Sequence, residues 1–85
     1  MNFFTVMSAP EALADFLPHG GMETLGAGRA YRVFNCDGRT ENLTFVDPID
    51  GETLVDVHTF ESISAANQWI ADDIQLRTAA TTRVH

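Results

Sequence analysis

Arg29-Ala30-Tyr31-Arg32-Val33-Phe34-Asn35-Cys36-Asp37-Gly38, then, after Arg39, Thr40-Glu41-Asn42-Leu43-Thr44-Phe45-Val46-Asp47-Pro48-Ile49-Asp50-Gly51-Glu52-Thr53-Leu54-Val55-Asp56-Val57-His58, is the stretch on which the fold turns. Tyr31, Val33 and Asn35 alternate with Arg32 and Phe34, the period of a half-buried strand. Asp37-Gly38 accepts the positive φ values of a type I′ hairpin turn. The returning strand reads from Thr40 to Val46, with Leu43 and Phe45 on one face, and Asp47-Pro48-Ile49-Asp50-Gly51 supplies a second turn. A third strand runs from about Glu52 to His58, with Val55 and Val57 inward and Asp56 and His58 outward. The expectation is a three-stranded antiparallel meander.

Downstream, Ser62 is a good N-cap for a helix reaching about Arg77. Ile63, Ala66, Ile70 and Ile74 recur at three- and four-residue steps beside Trp69, which makes an apolar stripe for the open face of the sheet. Trp69 reads as a core anchor. Residues 78–85 are small and β-branched and are expected to fray. Upstream, residues 2–7 alternate as a short strand or hydrophobic arm, a candidate fourth strand. Ser8-Ala9-Pro10-Glu11 has the form of a capping box, which predicts a short helix from about Ala9 to Leu17, with Ala9, Ala12, Leu13, Phe16 and Leu17 on its buried face. Pro18 and Gly20-Gly21 end it. Between Pro18 and Gly28 lie four of the six glycines, so a mobile loop is predicted there. The fold class is α+β: a meander packed against a C-terminal helix, with a short N-terminal helix.

Eighty-five residues support one core, hence one domain. With 45% apolar residues, that core can form without disulfides or metal. Cys36 is the only cysteine and has no intramolecular partner, as expected in a reducing compartment. The start lacks a basic region followed by a long apolar one, and no apolar run approaches a membrane span, so a cytoplasmic location is expected.

Charge says most about function. Twelve Asp and Glu stand against five Lys plus Arg, all of them Arg, for a formal charge of -7. Between Arg39 and Arg77 every charged residue is an acid: Glu41, Asp47, Asp50, Glu52, Asp56, Glu61, Asp72 and Asp73. Such a field repels nucleic acid and anionic membrane and attracts basic surfaces.

Little in the pattern points to chemistry. Cys36 has an acid as its neighbour, and His19, His58 and His85 show no spacing for a catalytic dyad. Asp47, Asp50, Glu52 and Asp56 lack the alternate-position acids, the sixth-position glycine and the twelfth-position Glu of a calcium loop. No Cys/His spacing suits zinc. Gly26-Ala27-Gly28 precedes a strand and opens no helix, unlike a dinucleotide fingerprint. The expectation is a protein without catalytic activity, cofactor or metal.

The acids then become the candidate site. Asp47, Asp50 and Glu52 fall on the second turn, Asp56 on the third strand, and Glu61, Asp72 and Asp73 near the start and middle of the last helix; together they are expected to share one rim. A row of carboxylates on a rigid scaffold imitates a phosphate backbone and can occupy an Arg/Lys groove. Two tight turns between three strands, followed by Phe60-Glu61-Ser62 and a helix with Trp69-Ile70, resemble the layout of small phage anti-CRISPR proteins over about Tyr31 to Ile74. That resemblance implies inhibition of a basic nucleoprotein complex, such as a CRISPR–Cas surveillance complex, in the cytoplasm of a host cell. This chain departs from it in having no Lys. Two other readings stand beside it: an immunity protein or antitoxin neutralising a basic toxin, and an accessory domain whose Phe34, Val46 and Leu54 bury in a homodimer.

Overall fold

The computed structural model describes residues 2–19, 21–39 and 42–82, without the side chains of 81 and 82. Five strands, β1 (Phe3–Pro10), β2 (Met22–Gly26), β3 (Arg29–Cys36), β4 (Leu43–Val46) and β5 (Thr53–Phe60), precede one long helix, α1 (Ile63–Thr82); a 3₁₀ helix covers Glu11–Phe16. All pairings are antiparallel, in a single sheet of order β2-β3-β1-β5-β4. The α+β class and the sheet-plus-C-terminal-helix plan agree with the sequence reading.

The strand order departs from a meander. β1 lies between β3 and β5, so Asp37-Gly38 begins a connection to the far side of the sheet and closes no hairpin. The N-terminal segment is the centre of the molecule because its side chains suit burial on both faces. Thr5, Val6, Ser8 and Ala9 are each 2% exposed or less, and the two polar ones are small enough to hydrogen-bond within the sheet.

The capping-box reading of Ser8 to Glu11 is also overturned. Ser8 is inside β1, where its Oγ accepts a 3.0 Å hydrogen bond from Arg29 Nε. Pro10 ends the strand, and the Glu11 N–H donates to the Gly28 carbonyl at 2.9 Å. Only a 3₁₀ helix without a side-chain cap follows. Leu13, Ala14 and Leu17 seal Ala9, Ala30, Met7 and Val55 on one face of the sheet, whereas Phe16, predicted to be buried, is 82% exposed.

The predicted loop between Pro18 and Gly28 contains the edge strand β2. Ala27 (φ 51) and Gly28 (φ 75) form its two-residue link to β3, the backbone of a type I′ hairpin. Ala at φ 51 is strained, since left-handed backbone costs an L side chain about 1 kcal/mol. Ala27→Asn is therefore expected to stabilise the fold by about 0.5–1 kcal/mol, measured by urea unfolding, because Asn tolerates that conformation and leads to the Gly as type I′ turns prefer. Beside the turn, a Cβ on Gly26 would lie 2.7 Å from Ile74 Cδ1, so the helix packs on bare backbone here.

α1 covers one face of the sheet. Val6, Tyr31, Val33, Ala66 and Ile70 form the buried cluster, ringed by Phe4, Phe60, Trp69 and Ile74. Trp69 meets Tyr31 edge-on at 6.3 Å and lies 4.6 Å from the His58 ring, consistent with an anchoring role. Ser62 caps the helix as expected, accepting from the Ala65 N–H at 3.0 Å. The helix continues to Thr82, beyond Arg77 where small and β-branched residues predict an end; residues 83–85 lie outside the described part.

Candidate protein-binding surface

The helix covers the face of β5 opposite to the one the valines suggest. Asp56 pairs in register with Ser8, and His58 with Val6, so both project toward α1 with the core residues of β1. Asp56 is only 7% exposed. It accepts from Thr44 Oγ1 at 2.8 Å, and Arg77 Nη2 stands 3.7 Å away. Period-two alternation tells which residues share a face; it does not tell which face a distant helix will cover.

Asp73 belongs to the same interior group. One oxygen accepts from the Tyr31 hydroxyl at 2.6 Å and from Arg77 Nε at 2.8 Å. Arg29, 4% exposed, spans the floor by donating through Nε to Ser8 and through Nη1 to the Thr53 carbonyl at 3.1 Å; its Nη2 has no partner among the described residues. Burial and the neighbouring Arg77 push the Arg29 pKa down. Burial works most strongly against the Arg77 charge, but the hydrogen bond to Asp73 together with the fields of Asp73, Tyr31 and Asp56 outweighs it and the Arg77 pKa rises. These charges hold the helix on the sheet.

Tyr31 gives this cluster a pH signature. Burial, and then the Asp73 hydrogen bond, push its hydroxyl pKa from 10.0 up to about 12. Because the folded pKa lies above the unfolded one, the stabilisation is complete below pH 10 and is lost as pH rises toward about 12. The loss is about 2–3 kcal/mol at 1.36 kcal/mol per pH unit. Tyr31→Phe is expected to flatten that alkaline limb in urea titrations across pH.

The β4–β5 turn has a different character. Asp47 Oδ1 accepts from the Ile49 N–H at 2.7 Å, and Asp50 Oδ1 from the Glu52 N–H at 2.8 Å, while the Asp47 and Glu52 backbones pair at 2.8 Å. Gly51 takes φ 75 to complete the reversal. The aspartates are turn formers, and each spends one oxygen on the turn, fixing the carboxylate at the surface. Asp50 and Glu52 are exposed, Asp47 half-exposed. Glu52 also lines a cleft of about 290 Å³ with Pro10, Arg29, Arg77 and Ala80, so this turn and the late part of α1 meet at one end of the molecule.

The remaining predicted acids lie elsewhere. Glu61 is at the other end of β5, about 30 Å from Glu52 at 3.3 Å per residue, and pairs with Arg39 at 2.8 Å. Asp72 is on the exposed side of α1, accepting from Gln68 at 2.9 Å. The seven acids therefore form no single rim; Asp47, Asp50 and Glu52 stay together, and Asp56 and Asp73 are turned inward.

Pairing of the arginines sharpens this surface. Arg32 meets Glu23 at 2.7 Å, Arg39 meets Glu61, Arg77 meets Asp73, and Arg29 is interior. No Lys or Arg occurs between positions 39 and 77, so the turn acids have no cation of their own hairpin beside them. Of the apolar residues next to them the sequence reading singled out only Val46: Leu43, Phe45 and Val46 are 44%, 56% and 49% exposed, and Ile49 at the turn is 93% exposed. Hydrophobicity along β4 was visible; exposure depends on β4 being an edge strand, which only the strand order reveals. Among the described residues, no group of three or more His, Cys, Asp or Glu could hold a metal ion, and no helix is long and apolar enough to cross a membrane.

Comparison with protein families, curated proteins and solved structures found no match to this chain.

Proposed function

We propose that this protein is a non-enzymatic inhibitor that uses the acidic turn Asp47–Glu52 to occupy a basic, nucleic-acid-binding surface of a protein or nucleoprotein complex, in the manner of small phage anti-CRISPR proteins. The observation that carries the reading is the division of charge. The described arginines are paired with acids or buried, whereas the Asp47 and Asp50 carboxylates are held by the turn's own hydrogen bonds, with the exposed Glu52 beside them, where a basic surface can reach them. Fixed carboxylates lose little conformational entropy on binding, and their field accelerates encounter with a positive partner. The flanking apolar side chains of β4 supply what charge alone does not, area to bury at the centre of an interface.

The test is capture from a lysate of the source organism at low and high salt, identification by mass spectrometry, and then a mobility-shift assay on the captured protein with its nucleic acid. The expected result is salt-sensitive capture of a nucleic-acid-binding protein that releases its nucleic acid when this chain is added in equimolar amount. A captured partner that keeps its nucleic acid bound would overturn the inhibitor reading.

A further inference from the structure

We infer that β4 is a docking edge and that its occupant is an extended basic segment of the partner, added to the sheet as a sixth strand. This rests on the acidic-turn reading above and specifies how the partner is held. β4 pairs with β5 on one side and is the last strand of the sheet, so its other side offers backbone N–H and C=O groups to a new strand.

Side-chain placement sets the chemistry of the occupant. Leu43 and Phe45 pair with Val57 and Val55. A register shift between Phe45 and Val46 then brings Val46 opposite Thr53, with the extra residue on β5 and the alternation along β4 kept. Leu43 and Phe45 thus border the sheet face away from α1, and an added strand would meet them with every second side chain. The others would lie on the α1 face beside Thr44, and the strand end nearest Asp47, Asp50 and Glu52 would face their carboxylates. The matching segment alternates apolar residues with Lys or Arg.

Two features select this occupant. β4 carries no Lys or Pro to repel an added strand, although it is short and its pairing is irregular at Phe45/Val46, and the hairpin charges are all acidic, which favours a basic strand and opposes a second copy of a chain with net charge -7. The opposite edge, β2, lacks such complementarity because its acid, Glu23, is already neutralised by Arg32.

The test uses a capped synthetic peptide alternating valine with lysine, titrated into the whole protein by amide NMR. Two companions are a glutamate-for-lysine version and a version N-methylated at alternate residues, which keeps charge and side chains but removes the backbone donors. Expected are saturable shifts in β4 and its turn, slowed exchange of the β4 amides, no binding of the glutamate peptide, and affinity about tenfold or more weaker after N-methylation, as loss of two or more hydrogen bonds implies. Equal binding of the N-methylated peptide would overturn strand addition while leaving the acidic turn as the contact. Failure of every lysine peptide to bind would overturn both, and β4 amides already protected in a peptide-free dimer would assign the edge to self-association instead.

Discussion

Replacing Asp73 by Ala is expected to remove about 3 kcal/mol of stability, a large share of the roughly 4–13 kcal/mol available to a chain of this size. One oxygen of Asp73 accepts from both Tyr31 and Arg77, and Tyr31 is fully buried. Truncation strands a hydroxyl in the core and leaves the Arg77 guanidinium with Asp56 at 3.7 Å as its remaining described carboxylate. Urea unfolding followed by Trp69 fluorescence measures the loss. Asp73→Asn is expected to cost less, since its amide oxygen can still accept from Tyr31. A loss below about 1 kcal/mol for the Ala variant would mean that the interior pair contributes no more than a surface ion pair.

The triple variant Asp47→Asn, Asp50→Asn, Glu52→Gln is expected to behave in the opposite way. Asn retains the oxygen that accepts from the Ile49 or Glu52 N–H, so the turn keeps its hydrogen bonds while three charges disappear. Stability should change by less than about 0.5 kcal/mol for each exposed substitution. Affinity for the captured partner should fall about 100-fold, corresponding to about 1 kcal/mol per lost charge contact. Both variants remove acids from the same half of the chain. One is expected to weaken the fold and the other to weaken binding.

That contrast was not readable from the sequence, although much around it was. The second turn, the helix start at Ser62 and the strand through Tyr31 and Val33 all come from local patterns, and the structure follows them. Local patterns do not say which strands meet. Ser8 to Glu11 matches a capping box, yet insertion of β1 between β3 and β5 gives Ser8 an arginine partner 21 residues away. Asp56 alternates with two valines and so looks solvent-facing; it is interior because Arg77, on a helix that begins after β5, crosses above it. The positive φ at Ala27 hid the β2–β3 hairpin, since Gly-Ala-Gly lacks the Asn or Asp that usually marks such a turn.

On the proposed function, the Asp47–Glu52 turn binds a basic surface through its charge. This is tested most directly by the affinity of the captured partner for the native chain and for the triple variant, side by side, from low to high ionic strength. A steep fall with salt is expected for the native chain and a weak, nearly flat dependence for the variant. Equal affinity and equal salt dependence for the two proteins would contradict it.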